Sequence, residues 1–134
     1  MATVEGGCFC GAVRYRIGAA PKASLVCHCR SCRRAAAAPA VPWITVAADA
    51  FALSAGALRF HRSSPPVRRG FCKACGTPLT YQHDGRPADI DVTTASLDDP
   101  EAFPPAYHVQ LGDELTWVRL GDSLPAYRGW KSEG

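Results

Sequence analysis

The sequence predicts a mainly β fold of short antiparallel strands, with one or two very short helices and with cysteine clusters stapling distant parts together. Three observations carry this expectation. Glycine and proline number 12 and 11 among 134 residues, which favours short strands joined by turns over long helices. Several segments alternate apolar and polar residues, the period of a half-buried strand. Two close cysteine pairs, Cys8/Cys10 and Cys72/Cys75, stand far apart in the chain, where a shared metal would tie the first strand to the middle of the fold.

The elements follow in order. Val13, Tyr15 and Ile17 alternate with Arg14 and Arg16, so Ala12 to Ile17 reads as a strand with one buried face. Gly18 to Pro21 is a turn, and Ser24-Leu25-Val26 is a short strand delivering the chain to Cys27. Arg33 to Ala38 has good helix propensity until Pro39 stops it, giving one or two helical turns. Trp43 to Val46 is β-rich and reads as a buried strand. Asp49-Ala50-Phe51 is a turn that tucks the phenylalanine inward. Ala57 to Arg62 alternates, with Leu58 and Phe60 on one face, and Ser63 to Pro66 breaks the pattern.

Val67 to Phe71 then leads into the downstream cysteine pair, and Leu79 to His83 leaves it. Asp84-Gly85 signals a hairpin toward the strand Ile90 to Thr93, in a loop that Arg86-Pro87 widens. Asp99-Pro100-Glu101 reads as a helix start, with aspartate as N-cap and proline in the first position; Pro104 and Pro105 keep that helix short. The tail holds three further short segments, Tyr107 to Val109, Thr116 to Val118 and Leu124 to Tyr127. No repeat or linker interrupts this, and residues 1–134 read as a single domain.

Composition narrows the function classes. With 47% hydrophobic and 20% charged residues, the chain reads as an ordinary globular protein. Its longest apolar stretch, Ala35 to Ala48, is interrupted by Pro39, Pro42 and Thr45, too short and broken to span a bilayer. The first residues lack the basic and apolar regions of a secretion signal, so a cytoplasmic location is expected. In a reducing cytosol, clustered thiols bind metal or react more often than they form disulfides. A disulfide framework is the alternative for an exported chain.

Seven cysteines cannot all pair, but they divide into four and three. Structural zinc takes four ligands in a tetrahedron, often two close thiolate pairs. Cys8/Cys10 and Cys72/Cys75 are such pairs, each followed by a glycine (Gly11, Gly76) that lets the backbone turn sharply beneath a metal. The alternative is that they are small buried core residues. The central Cys27-His-Cys29-Arg-Ser-Cys32 is one ligand short of a closed site. Three protein ligands plus an exchangeable position is the arrangement of catalytic zinc. Three thiolates leave such a zinc with net negative charge and weak Lewis acidity, suited to a soft incoming thiol, which it would hold as thiolate. The chemistry therefore points to thiol activation.

Other readings stand beside this one. His28, His61, His83 or His108 could complete the central site and make it structural, although His28, squeezed between two ligands, should point away as a supporting or surface group. A metal-free redox trio is conceivable, as is a non-catalytic zinc module that binds a protein or nucleic acid. Seven thiolates and two zinc ions would bring the formal charge of +3 to zero, which removes the argument for a nucleic-acid partner. What remains is a local cluster of Arg30, Arg33, Arg34, Arg68 and Arg69. Arg30 and Arg33, flanking Cys32, could grip carboxylates of an anionic thiol. Asp89, Asp91 and Tyr107 read as structural.

Taken in order, Cys8-x-Cys-Gly, Cys27-His-Cys-x-x-Cys-Arg and Phe71-Cys-x-x-Cys-Gly-x-x-Leu79 resemble the glutathione-dependent formaldehyde-activating enzyme family, which is grouped with the centromere-protein-V domain and shares a Mss4-like fold. The likeness extends over nearly the whole chain, including the Trp43 strand, Ser96 to Pro100 and Trp117. It implies a β-rich fold with two zinc ions, one structural on Cys8, Cys10, Cys72 and Cys75, one catalytic on Cys27, Cys29 and Cys32. It also implies a carbon–sulfur lyase activity joining glutathione to formaldehyde, with a small thiol and an aldehyde as partners; charge and hydropathy lead one to expect neither a nucleic-acid nor a membrane partner. One departure is the run Arg34-Ala-Ala-Ala-Ala-Pro-Ala, where the family pattern leads one to expect a glycine.

Overall fold

The computed structural model describes residues 3–131. Its strands are β1 (Val4–Gly7), β2 (Arg14–Ile17), β3 (Ala23–Cys27), β4 (Val41–Ala47), β5 (Phe51–Ala55), β6 (Arg59–Ser64), β7 (Val67–Phe71), β8 (Pro78–His83), β9 (Asp89–Thr93) and β10 (Tyr107–Val109). One helix, α1 (Arg30–Ala36), and four single 3-10 turns complete the described residues. The expected mainly β class with very short helices is thus the observed one.

Two sheets share the strands. β1, β2 and β5 form a three-stranded sheet in the order β1-β2-β5, and the other seven form a sheet in the order β10-β3-β4-β9-β8-β7-β6. Pairing is antiparallel except between β10 and β3, which run parallel, because the chain leaves β9 and travels back through 3-10 turns at Thr94–Ser96 and Pro100–Ala102 before it pairs.

Alternation along the strands sorts the residues by face. Ile44 and Val46 of β4 and Ile90 and Val92 of β9 pack with Val13, Tyr15 and Ile17 in the core between the sheets. The intervening residues Val41, Trp43, Thr45, Asp89, Asp91 and Thr93 line a cleft on the opposite face of the large sheet. Both faces of β4 are therefore covered, which is why Trp43 to Val46 are all buried.

Several elements depart from the sequence expectation. β1 has no signal in the sequence, because Val4-Glu5-Gly6-Gly7 has no apolar alternation. Gly6 is there for packing: a Cβ at this position would lie 2.3 Å from the hydroxyl oxygen of Tyr15. The turn expected at Asp49 to Phe51 is a 3-10 turn at Ala48–Ala50, and Phe51 instead opens β5. It does tuck inward, stacking on Tyr15 at 5.3 Å between ring centroids.

The helix expected from Arg33 starts earlier, at Arg30, because Cys29 acts as its N-cap and accepts from the Cys32 amide. It also ends before Pro39, where Ala37 turns left-handed (φ 51°). Asp99 makes no side-chain cap bond, and the helix expected after it is a single 3-10 turn. Thr116 to Val118 is not a strand, and Trp117 is 70% exposed. Leu124 to Tyr127 forms no strand either; within it Ala126 makes an isolated bridge to His108.

Candidate functional site

The four outer cysteines come together at the tips of two hairpins, one in each sheet. Cys8 and Cys10 sit between β1 and β2, and Cys72 and Cys75 between β7 and β8. All four sulfurs lie within 4.8 Å of one another. Cys8 and Cys10 are 3.6 Å apart and Cys10 and Cys72 3.8 Å; a tetrahedron with metal–sulfur bonds of about 2.3 Å has edges of about 3.8 Å. Each tip turns at a glycine in the left-handed region, Gly11 (φ 82°) and Gly76 (φ 81°). Nothing lies within 4 Å of a Cβ at either, so the backbone angle alone calls for glycine there.

Amide groups in these turns point at the sulfurs. Val13 N donates to Cys8 Sγ at 3.2 Å and Cys75 N to Cys72 Sγ at 3.4 Å. Thr77 ties the tips together: its Oγ1 accepts from Phe9 N at 3.0 Å and lies 3.1 Å from Cys75 Sγ. Hydrogen bonding from Thr77 holds the Cys75 thiol down at about 5. No disulfide joins any of the seven cysteines.

The three central cysteines arise from one local segment. Cys27 ends β3, Cys29 caps α1 and Cys32 lies in its first turn. Their sulfurs also lie within 4.8 Å of one another, and among the described residues no histidine or carboxylate joins the group. Hydrogen bonds with Cys27 and Cys32 hold Cys29 down at about 2, and its bonds with Cys29 push Cys27 above its ordinary value. Three sulfurs this close carry one negative charge readily and three only around a cation. Both groups thus fit metal ions, and their all-sulfur donor sets are consistent with zinc.

Cys27, Cys29 and Cys32 all line the cleft, whose volume is about 1510 Å³. Val41, Trp43 and Val109 pack beneath them. A row of cross-strand neighbours runs over the sheet through Thr45, Asp91, Tyr81, Arg69 and His61. At the far end Asp91 is partly buried; the loss of solvent raises its carboxyl above the usual range, although Thr45 Oγ1 (2.5 Å) and Arg86 (2.9 Å) both donate to it. Lys22 and Arg86 pair with Asp89. Cations at this end are therefore already neutralised.

The predicted arginines part company. Arg30 is exposed and lines the cleft, whereas Arg33 is not among the lining residues. Arg33 instead donates to the Asp113 carbonyl at 3.3 Å, bracing α1 against the 3-10 turn at Leu111–Asp113. The residue not assigned to the site from sequence is Arg69. Its Nη2 stands 4.0 Å from Cys32 Sγ, Nε donates to Ser63 Oγ at 3.1 Å, and its guanidinium lies over the Tyr81 ring at 5.0 Å. Its position two residues from Val67 on the same face of β7 was visible in the sequence; the register that carries this face to Cys32 was not.

His28 is buried, not on the surface. Its Nε2 lies 3.0 Å from His108 Nδ1, and His108 Nε2 lies 3.0 Å from Asp122. With His28 N donating to the Val109 carbonyl, this chain fastens the cysteine loop to β10 and the C-terminal segment. His61 and His83 line the cleft but join neither cysteine group.

Comparison with known proteins adds a family and a fold. The model of a family described as "Glutathione-dependent formaldehyde-activating enzyme" matches residues 3–113. No curated protein matches the sequence. The crystal structure of a Rhodobacter sphaeroides protein is similar with a TM-score of 0.59 at 20% identity, covering 92% of this chain and 98% of that one. At that identity the likeness speaks for the fold.

Proposed function

The chain belongs to the glutathione-dependent formaldehyde-activating enzyme family, and from that premise we propose that it is a zinc-dependent carbon–sulfur lyase acting on adducts of a small thiol and an aldehyde. S-hydroxymethylglutathione is the adduct this reading favours. The observation that carries the proposal is the three-sulfur group at Cys27, Cys29 and Cys32, which lines an open cleft and gains no fourth histidine or carboxylate among the described residues.

In this reading Cys8, Cys10, Cys72 and Cys75 hold a structural zinc, and Cys27, Cys29 and Cys32 hold the catalytic one. The catalytic zinc, when bound, keeps an incoming thiol deprotonated at neutral pH, which is its nucleophilic form. The protein's own groups do the rest. The Cys32 amide, 3.2 Å from Cys29 Sγ, supports the negative charge on that sulfur. The helix start places Cys29 and Cys32 on the side of the loop that faces the cleft. Arg30, exposed at the rim, binds carboxylates of the thiol, while Arg33 positions α1. The floor of Leu25, Trp43 and Tyr107 excludes water from one side of the bound adduct.

The substrate thiolate adds to the aldehyde carbon, and the reverse step expels the thiolate and frees the aldehyde. Among the described residues no helix is long and apolar enough to cross a membrane, and unpaired thiols suit the cytoplasm, where we place the enzyme.

Exchange NMR of glutathione with formaldehyde measures adduct formation and breakdown directly. The wild-type protein should accelerate both above the spontaneous rate, and Cys29→Ser should abolish the acceleration while retaining the structural metal. Full zinc content with full turnover in Cys29→Ser would sink the proposal.

A further inference from the structure

Charge is distributed unevenly around the cleft. Lys22 and Arg86 at one end are paired with Asp89 and Asp91. At the cysteine end Arg69 is half-buried, yet among the described residues no carboxylate pairs with it. Arginine is mostly solvated or paired when it leaves the surface. A half-buried guanidinium that pairs with no carboxylate and faces a cluster of cysteine sulfurs needs a reason.

Its orientation is fixed from two sides. Nε donates to Ser63 Oγ at 3.1 Å, the plane lies over the Tyr81 ring at 5.0 Å, and Nη2 is directed to Cys32 Sγ at 4.0 Å. By contrast Arg30 and Arg34, the other cleft-lining arginines near the cysteines, are exposed. Arg69 is therefore the guanidinium whose position beside the central cysteine group is set before substrate arrives, the condition under which electrostatic stabilisation of a transition state is most effective.

We propose that Arg69 is a catalytic residue that binds the aldehyde oxygen and stabilises the alkoxide formed on it. The inference rests on the reading of the site as a thiol–aldehyde lyase. When the substrate thiolate attacks, a carbon–sulfur bond forms and the carbonyl π bond breaks, its electron pair moving to oxygen. Arg69 donates N–H hydrogen bonds to that oxygen, and solvent in the open cleft supplies the proton that completes the hydroxyl. In the reverse direction the hydroxyl loses that proton, Arg69 holds the alkoxide, and the carbonyl re-forms as the thiolate leaves. Nothing is oxidised or reduced.

The test compares wild-type protein with Arg69→Gln and Arg69→Lys, using formaldehyde with glutathione and, separately, with ethanethiol, which has no carboxylate. Exchange NMR gives turnover; metal analysis gives zinc content; the thiolate–cobalt absorption band of cobalt-substituted protein gives thiol affinity. Arg69→Gln should lower kcat about 100-fold equally for both thiols, with unchanged metal content and thiol affinity. Arg69→Lys should recover part of the loss. A loss seen only in the KM for glutathione would overturn the inference in favour of a carboxylate-binding role. Loss of the central metal or of the cobalt band in Arg69→Gln would overturn it in favour of a structural role. Unchanged turnover in Arg69→Gln with an active wild type would overturn it alone, whereas an inactive wild type would remove the lyase reading and this inference together.

Discussion

The two cysteine groups are built from the same ligand and teach opposite lessons. The outer four come from two hairpin tips in different sheets, more than half the described chain apart in the case of Cys8 and Cys75, and their turns aim amide groups at the sulfurs. The central three come from one strand end and the first turn of one helix, and they face a cleft. A ligand set gathered over a long loop stabilises the fold, because closing that loop is the entropic cost the metal offsets. A set supplied by neighbouring residues holds little of the fold, so its metal can serve chemistry.

The largest expected effect breaks this comparison directly. Cys72→Ser should cost on the order of 5 kcal/mol or more, enough to leave a single domain mostly unfolded. Cys29→Ser should cost less than about 1 kcal/mol, since serine can replace the sulfur as N-cap of α1. Urea unfolding monitored by fluorescence measures both. Equal losses would show that the central group is structural too.

A smaller effect concerns a surface pair that also ties the small sheet to the rest. Arg14 of β2 forms a two-pronged pair with Asp98, at 2.9 and 2.5 Å, and this hydrogen bonding holds the Asp98 carboxyl below its usual value. A depressed folded value means the pair stabilises above the ordinary carboxylate value near 3.8 and is lost as pH falls through the lower, folded-state value. Because Asp98 is about half exposed (52%), Asp98→Asn should cost no more than about 1 kcal/mol at pH 7. The difference between variant and wild type should vanish in urea titrations carried out below that lower value. A difference independent of pH would assign the stabilisation to packing.

The smallest effect concerns the helix that carries the central cysteines. Ala37 ends α1 at φ 51° and ψ 43°, a conformation that costs a residue with a Cβ roughly 1 kcal/mol or more. Ala37→Gly should stabilise the protein by up to about 1 kcal/mol and raise Tm by a few degrees, with thiol chemistry unchanged. A fall in Tm would mean that the alanine methyl packs usefully. Ala37 lies in the alanine run where the resemblance leads one to expect a glycine, and here alanine makes a turn that glycine favours.

The chain declared its cysteine groups and much of its β-structure because both depend on local pattern. Two close cysteine pairs, glycines after them, and the alternation of Val13, Tyr15 and Ile17 can be read residue by residue. β1 was invisible because Gly6 answers to the Tyr15 hydroxyl nine residues away, a packing demand with no local trace. The start of α1 is not legible because cysteine is not a usual cap, yet Cys29 caps this helix. Arg69 was noted only as one member of a basic cluster, since its meaning depends on the register that stacks β6, β7, β8 and β9. Arg33, with equal sequence credentials, turns to Asp113 instead.

The separation of faces in β4 and β9 also bears on how such a protein can change over generations. Trp43, Thr45 and Asp91 face the cleft, while Ile44, Val46, Ile90 and Val92 hold the sheets together. Substitutions at the first set can alter the shape and polarity of the cleft while the second set keeps the domain folded. An insertion or deletion of one residue in either strand would exchange the two sets. Diversification of this scaffold should therefore proceed by replacement within strands, and by changes of length only in the loops.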